Sequence, residues 1–221
     1  MENQLSITLI MKLNLNHKLI RRYKKILGLT VRVRKGMGLA NKRANEKNLN
    51  NKAPYLVECN FKTNKFGTKF SSDVSYIKCT DGNLYLSAVK DYFNNEIVSF
   101  STSNNNNVNL IIESYKKVRN HKNAIMNTDQ GAVYFAYEYI ELSKNMNFRR
   151  SMSHKGHCWE NSPIENWFSQ LKQEWLYPLG KMTKKQAAAE IKKYIHWYNN
   201  ERIQKKLGYL SPVQYRLKNQ N

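Results

Sequence analysis

The sequence predicts an α/β domain with a mixed sheet, preceded by a basic helical arm. Three observations predict it: three β-type runs joined by tight turns, an alternation of helical and short apolar runs after them, and a concentration of Lys and Arg ahead of them. In the arm, His17 to Gly28 reads as a short helix, because Leu19, Ile20, Tyr23, Ile26 and Leu27 recur at helical spacing and Gly28 suits its C-terminal stop. Residues 36–54 are polar, basic and Asn-rich and read as a linker, so a boundary is placed between an arm over 1–54 and the α/β domain over 55–221. Lys69–Cys79, Leu84–Tyr92 and Glu96–Ser101 are rich in aromatic and β-branched residues and are separated by Asp81-Gly82-Asn83 and Asn94-Asn95, which suit hairpins. Val108–Val118 is helical in period, Ala124–Met126 is a short buried strand, Tyr134–Lys144 a helix and Phe148–Met152 a fifth strand. Two helices follow, over Pro163–Tyr177 and Lys184–Tyr198, the second with a capping box at Thr183 and Gln186. The segment from Tyr209 to Pro212 reads as packing punctuation.

Charge limits the function. The 221 residues hold 37 Lys and Arg against 16 Asp and Glu, a net charge of +21, which points to a polyanionic partner such as nucleic acid rather than to an ordinary metabolic enzyme. Residues 1–52 carry 13 of the basic residues and only Glu2 and Glu46 in opposition. Arg21, Arg22, Lys24 and Lys25 on the arm helix are read as contacts to the DNA backbone; the competing reading is a solvated face over a small core. Hydrophobic residues at 41% and aromatics at 12% exclude general disorder. No apolar run is long enough to span a membrane, no signal peptide is read, and Cys59, Cys79 and Cys158 suit reduced thiols, so a cytoplasmic protein is expected.

In so basic a chain, carboxylates at strand ends and helix starts stand out. Asp73 lies mid-strand among small residues, Asp129 follows the carboxyl end of the Ala124–Met126 strand, and Glu165 opens a helix, with 35 residues between the last two. Each has an ordinary structural reading: a strand-edge charge, an Asx turn, and a capping box with Ser162. If the two strands pair, however, the carboxylates converge, and divalent cations relieve their repulsion. Two such ions are suited to activating an attacking oxygen and stabilising the leaving oxygen of a phosphodiester. Lys172, seven positions after Glu165 on the same helix, then faces a phosphate; its alternative is a solvated lysine.

These residues resemble a family. SSDVSYIKCTDGNLYLSAVKD, NTDQGAVY, SMSHKGHCWENSPIENWFSQLKQEW and HWYNNERIQKKLGYLSPVQY resemble, in order and over about residues 55–218, the integrase-type catalytic domain of bacterial insertion-sequence transposases of the IS-three group. The resemblance implies a ribonuclease-H-like fold, a mixed five-stranded sheet flanked by helices. It also implies Mg²⁺-dependent strand cleavage and strand transfer at element ends, with Mn²⁺ as a substitute ion. It places the catalytic triad and the metal ligands on Asp73, Asp129 and Glu165, and an auxiliary DNA contact on Lys172. Implied partners are double-stranded DNA at element ends and target, further copies of the chain in synapsis, and an upstream-frame helix-turn-helix protein, in a bacterial, nucleoid-associated setting. The sequence departs from the family pattern at Phe70, Asn127-Thr128, Glu160 and Gln204, of which Asn127 and Gln204 bear on substrate positioning.

His154, His157 and Cys158 look like part of a zinc site but lack a second ligand pair at matching spacing, and zinc is set aside. Gly156 suits a mobile loop whose Lys155 touches DNA. The leading function is therefore a DNA transposase; the alternative is a catalytically inactive DNA-binding remnant or regulator, with salt-dependent binding and no metal requirement.

Overall fold

The computed structural model describes residues 17–29, 51–119 and 122–219. The chain falls into two compact units, Met1–Ala40 and Asn41–Asn221. In the first, α1 (His17–Ile26) ends as its sequence predicts. Gly28 adopts a φ of +64°, and the Leu29 N–H closes on the Lys24 carbonyl at 2.9 Å. Arg21, Arg22 and Lys25 are exposed and Lys24 is half-buried. Of the linker expected over 36–54, residues 36–50 lie outside the described residues.

In the second unit, β1 (Lys69–Cys79), β2 (Gly82–Asp91) and β3 (Ile97–Ser103) form the antiparallel block, while β4 (Ile125–Thr128) and β5 (Arg149–Met152) run parallel to β1. The five-stranded order is β3-β2-β1-β4-β5. Side chains alternate across the sheet, so β1, β2 and β3 each feed a core on either face. On one face Ile77, Leu84, Leu86 and Ala88 meet Ile164, Trp167, Phe168 and Leu171 of α4 (Ser162–Gln170, continued as a π-helical turn over Leu171–Leu176), with Ile191, Tyr194 and Tyr198 of α5 (Lys184–Asn200). On the other, Phe70, Val89 and Met126 meet Ile111 and Tyr115 of α2 (Val108–Tyr115) and Tyr139 of α3 (Tyr137–Asn145). A large apolar side chain buried in either layer contributes roughly 1.5–3 kcal/mol.

Three elements differ from the sequence reading. The first hairpin turns on Thr80-Asp81, and Gly82, at φ +117°, already belongs to β2 opposite Cys79. The helix expected over Tyr134–Lys144 is broken: a 3-10 turn covers Ala132–Phe135, Ala136 is extended, and α3 starts at Tyr137. The break buries Tyr134 and lets Tyr139 pack edge-on against it. The segment after Tyr209 continues into α6 (Pro212–Asn219) instead of ending as a loop.

Candidate active site

Parallel pairing of β1 with β4 builds the site. The register sets Ser71 opposite Asn127, so two residues further on Asp73 in β1 lies beside Asp129, the first residue past β4, on strands whose axes lie about 4.8 Å apart. Asp73 shares a sheet face with its cross-strand partner Ala88, which is the face that α4 covers. Glu165 comes from the first turn of that helix, next to the fully buried Ile164. The capping box read for Ser162 and Glu165 does not form: Ser162 is itself helical, and the N-cap Asn161 makes no side-chain cap. The Asx turn does form, the Gly131 N–H donating to Asp129 Oδ1 at 2.8 Å, and it holds the carboxylate. Gly131 is needed there, since a Cβ at this position would stand 2.9 Å from Asp129 Oδ1.

The electrostatics show that Asp73 feels the other two acids. Burial pushes the Asp73 carboxyl well above the usual carboxylate range, the Asp129 charge pushes it further, and Glu165 adds to this. The Val74 N–H, 2.7 Å from Asp73 Oδ1, and the Lys172 ammonium pull the other way. Asp129 is raised by burial against the opposing Gly131 N–H. The phenol of Tyr134, beneath the pair, is raised by burial, by Tyr115 and then by Asp73 and Asp129. Lys172 is drawn in from the π-helical turn: its Nζ donates to Ser75 Oγ at 2.7 Å, on the same strand face as Asp73, and lies 5.4 Å from the Tyr76 ring centroid. An all-oxygen set of mutually repelling carboxylates suits a hard divalent cation.

Asn127 has a role that sequence alone does not reveal. It is fully buried; its Nδ2 donates to the Glu160 carbonyl at 2.9 Å and to Asn161 Oδ1 at 3.3 Å, and its Oδ1 accepts from Ser151 Oγ at 2.9 Å. One side chain thus ties β4, two residues before Asp129, to β5 and to the segment leading into α4. Lys90 is equally buried, and its Nζ donates to the Pro163 carbonyl at 3.0 Å, in the first turn of α4. Gln204 accepts from Asn95 Nδ2 at 3.1 Å. Lys155 lies exposed in the loop between β5 and α4. Arg21, Arg22, Lys24 and Lys25 belong to the other unit.

A five-stranded mixed sheet with helices on both faces, one acid inside the central strand β1 and a second just past the carboxyl end of the parallel strand β4, defines an integrase-type catalytic core, a polynucleotidyl transferase of ribonuclease-H-like fold. Solved structures share the fold: the HTLV-2 integrase catalytic core, described as a complex with magnesium in dimeric form, superposes with a TM-score of 0.53 at 15% identity, covering 68% of this chain and 96% of that one. The catalytic core of BIV integrase matches with the same TM-score at 11% identity, covering 70% and 96%. Family models described as integrase core domain match residues 64–158 and 165–220. A transposase-like protein of Haemophilus influenzae is 36% identical, covering 95% of this chain and 96% of that protein. The putative transposase InsK of insertion element IS150 from Escherichia coli K12 is 31% identical, covering 91% and 71%. The chain belongs to the IS3 family of insertion-sequence transposases.

Proposed function

We propose that Asp73, Asp129 and Glu165 are the catalytic and metal-binding carboxylates of this transposase, acting on double-stranded DNA at element ends and target. The observation that carries the reading is that the buried Asp73 carboxyl, beside the parallel β1–β4 pairing, is raised further by the charges of Asp129 and Glu165 from two other segments, in a chain of net charge +21. Their oxygen donors would hold Mg²⁺, with Mn²⁺ as a substitute, and two ions are expected. Bound there, the cations supply activation of the attacking water or 3′-hydroxyl and stabilisation of the leaving oxygen. Asp73 and Asp129, on neighbouring segments of the β1–β4 pair, would share the metal ions, and Glu165 would complete the second site from α4. Gly131 orients Asp129 through its amide, and Asn127 holds the spacing between the strand and helix that supply the acids. Lys172, anchored on Ser75, binds a backbone phosphate beside the reacting bond.

Lys155 and the arm residues Arg21, Arg22, Lys24 and Lys25 add sequence-independent phosphate contacts, whose contribution falls as salt rises. Synapsis of two ends calls for more than one copy; the retroviral cores that share this fold are described in dimeric and trimeric forms. An upstream-frame helix-turn-helix protein would supply end recognition. No helix among the described residues is long and apolar enough to cross a membrane; a DNA substrate would place the protein in the cytoplasm with the bacterial nucleoid.

The test is Asp129→Asn assayed on labelled element-end duplexes. Cleavage and strand transfer fall to background while DNA affinity is kept or raised. Retained cleavage, or loss of cleavage and binding together in a folded variant, contradicts the assignment.

A further inference from the structure

The loop between β5 and α4 brings together a second group of metal-ligating side chains, which the carboxylate site does not use. His154 Nδ1 lies 3.0 Å from Glu160 Oε1, and His157 Nδ1 lies 3.2 Å from the same oxygen. One donor atom from each of the three residues lies within 4.8 Å of the other two. We infer that His154, His157 and Glu160 form a site for one zinc-class divalent transition-metal ion, separate from Asp73, Asp129 and Glu165.

The donor chemistry separates the two sites. Two imidazole nitrogens and one carboxylate oxygen make a borderline donor set that takes zinc, whereas a cluster of carboxylates alone takes a hard cation. The spacing fits as well. Ligand atoms bound tetrahedrally at about 2.0–2.1 Å from an ion stand about 3.4 Å from one another. The two measured nitrogen–oxygen separations fall a few tenths of an ångström short of that, so small ring rotations admit the ion.

The donors are also held in place. Glu160 is buried; its Oε2 accepts the His154 backbone N–H at 2.6 Å, and its carbonyl accepts from Asn127 Nδ2 at 2.9 Å, which aims Oε1 at the two imidazoles. Trp159 stacks on the His157 ring at 4.5 Å and 21°, and Tyr55 packs edge-on against His154 at 5.5 Å and 73°. These ring contacts restrict rotation of the two imidazoles. The histidine side chains are 54% and 45% exposed, so an ion enters from solvent and keeps a position for water. The spacing His-x-x-His-x-x-Glu runs along a single loop that a 3-10 turn at Cys158–Asn161 folds back on itself, which is how Glu160 becomes the third ligand. Bound there, the ion clamps the loop immediately ahead of the helix that carries Glu165.

The test uses the full chain stripped with chelator and titrated with Co²⁺ as a spectroscopic probe, then with Zn²⁺ in competition. One equivalent of Co²⁺ develops the intense visible bands of a four-coordinate site, is displaced by Zn²⁺ and is not displaced by excess Mg²⁺. The bands persist in the Asp73→Asn/Asp129→Asn variant and vanish in His154→Ala/His157→Ala, while Glu160→Gln weakens Zn²⁺ binding by at least about 100-fold. Thermal melts establish that each variant is folded. Should a histidine variant fail to fold, anomalous scattering at the zinc edge from soaked wild-type crystals decides, with a peak among the three side chains expected. Bands retained in the histidine variant, bands lost only in the aspartate variant, or no peak at the loop overturns the proposal. Because the aspartate variant removes the carboxylate site alone, failure here leaves the transposase assignment standing, and the converse holds.

Discussion

Lys90 is a buried cation whose removal stabilises the protein. Its residue is 6% exposed in β2, and its Nζ donates to the Pro163 carbonyl at 3.0 Å. Burial lowers its pKa from 10.5 to about 7, with the Arg202 and Lys206 charges adding to the effect. At about 1.4 kcal/mol per tenfold change in proton affinity, that drop makes folding with this side chain cost about 4 kcal/mol at pH 7. Lys90→Met keeps the length and apolar stem, removes the charge, and forfeits a hydrogen bond worth about 1 kcal/mol. A net stabilisation of about 3 kcal/mol is expected, raising the melting temperature by roughly 6–12 °C. Between pH 7 and 10.5 the unfolded chain binds more protons at this residue than the folded one, so wild-type stability gains with rising pH through that window. The variant lacks this increment, and the gap between the two proteins narrows toward about pH 9. Urea denaturation of both proteins at pH 7 and about pH 9 reads the effect. A variant less stable than wild type at pH 7, or a gap that does not narrow, refutes it.

Two further substitutions test the scaffold of the carboxylates. Gly131→Ala is compatible with the backbone at φ −63° but drives a methyl group to 2.9 Å from Asp129 Oδ1, so the carboxylate must move. Strand-transfer rates fall by about 100-fold with the melting temperature nearly unchanged, and an unaffected rate disproves the positioning argument. Asn127→Ala strands the Glu160 carbonyl and removes the acceptor of the Ser151 hydroxyl, which keeps only the Leu56 N–H, costing about 2–4 kcal/mol by chemical denaturation; a loss below about 0.5 kcal/mol contradicts the bridging role.

The strands and the major helices were legible because their patterns are local. The aromatic and β-branched run Lys69–Cys79 is a strand over the residues its composition marks, and its side chains divide between two cores, Ile77 to one and Phe70 and Val74 to the other. Of the apolar stripe Ile164, Trp167, Phe168, Leu171 and Trp175, whose helical spacing predicts a core face, the first four are buried and Trp175 is half-buried against the same cluster. The break at Ala136 was not legible, because it serves the burial of Tyr134, which is a tertiary demand. A local signal did exist for α6: Ser211 Oγ accepts from the Gln214 N–H and Gln214 Oε1 accepts from the Ser211 N–H, a capping box with Pro212 at the first helical position. At the site, the Asp73–Asp129 juxtaposition follows from strand pairing and was foreseeable. The Asn127 bridge and the return of Glu160 onto two histidines depend on how a loop folds back, and no periodicity encodes that.

Anomalous diffraction from crystals of the protein with element-end DNA, soaked in Mn²⁺ and measured at the manganese edge, tests the central claim most directly. The account predicts density bounded by the carboxylates of Asp73, Asp129 and Glu165 beside the scissile phosphate. An ordered DNA end with no manganese at those three side chains would contradict it.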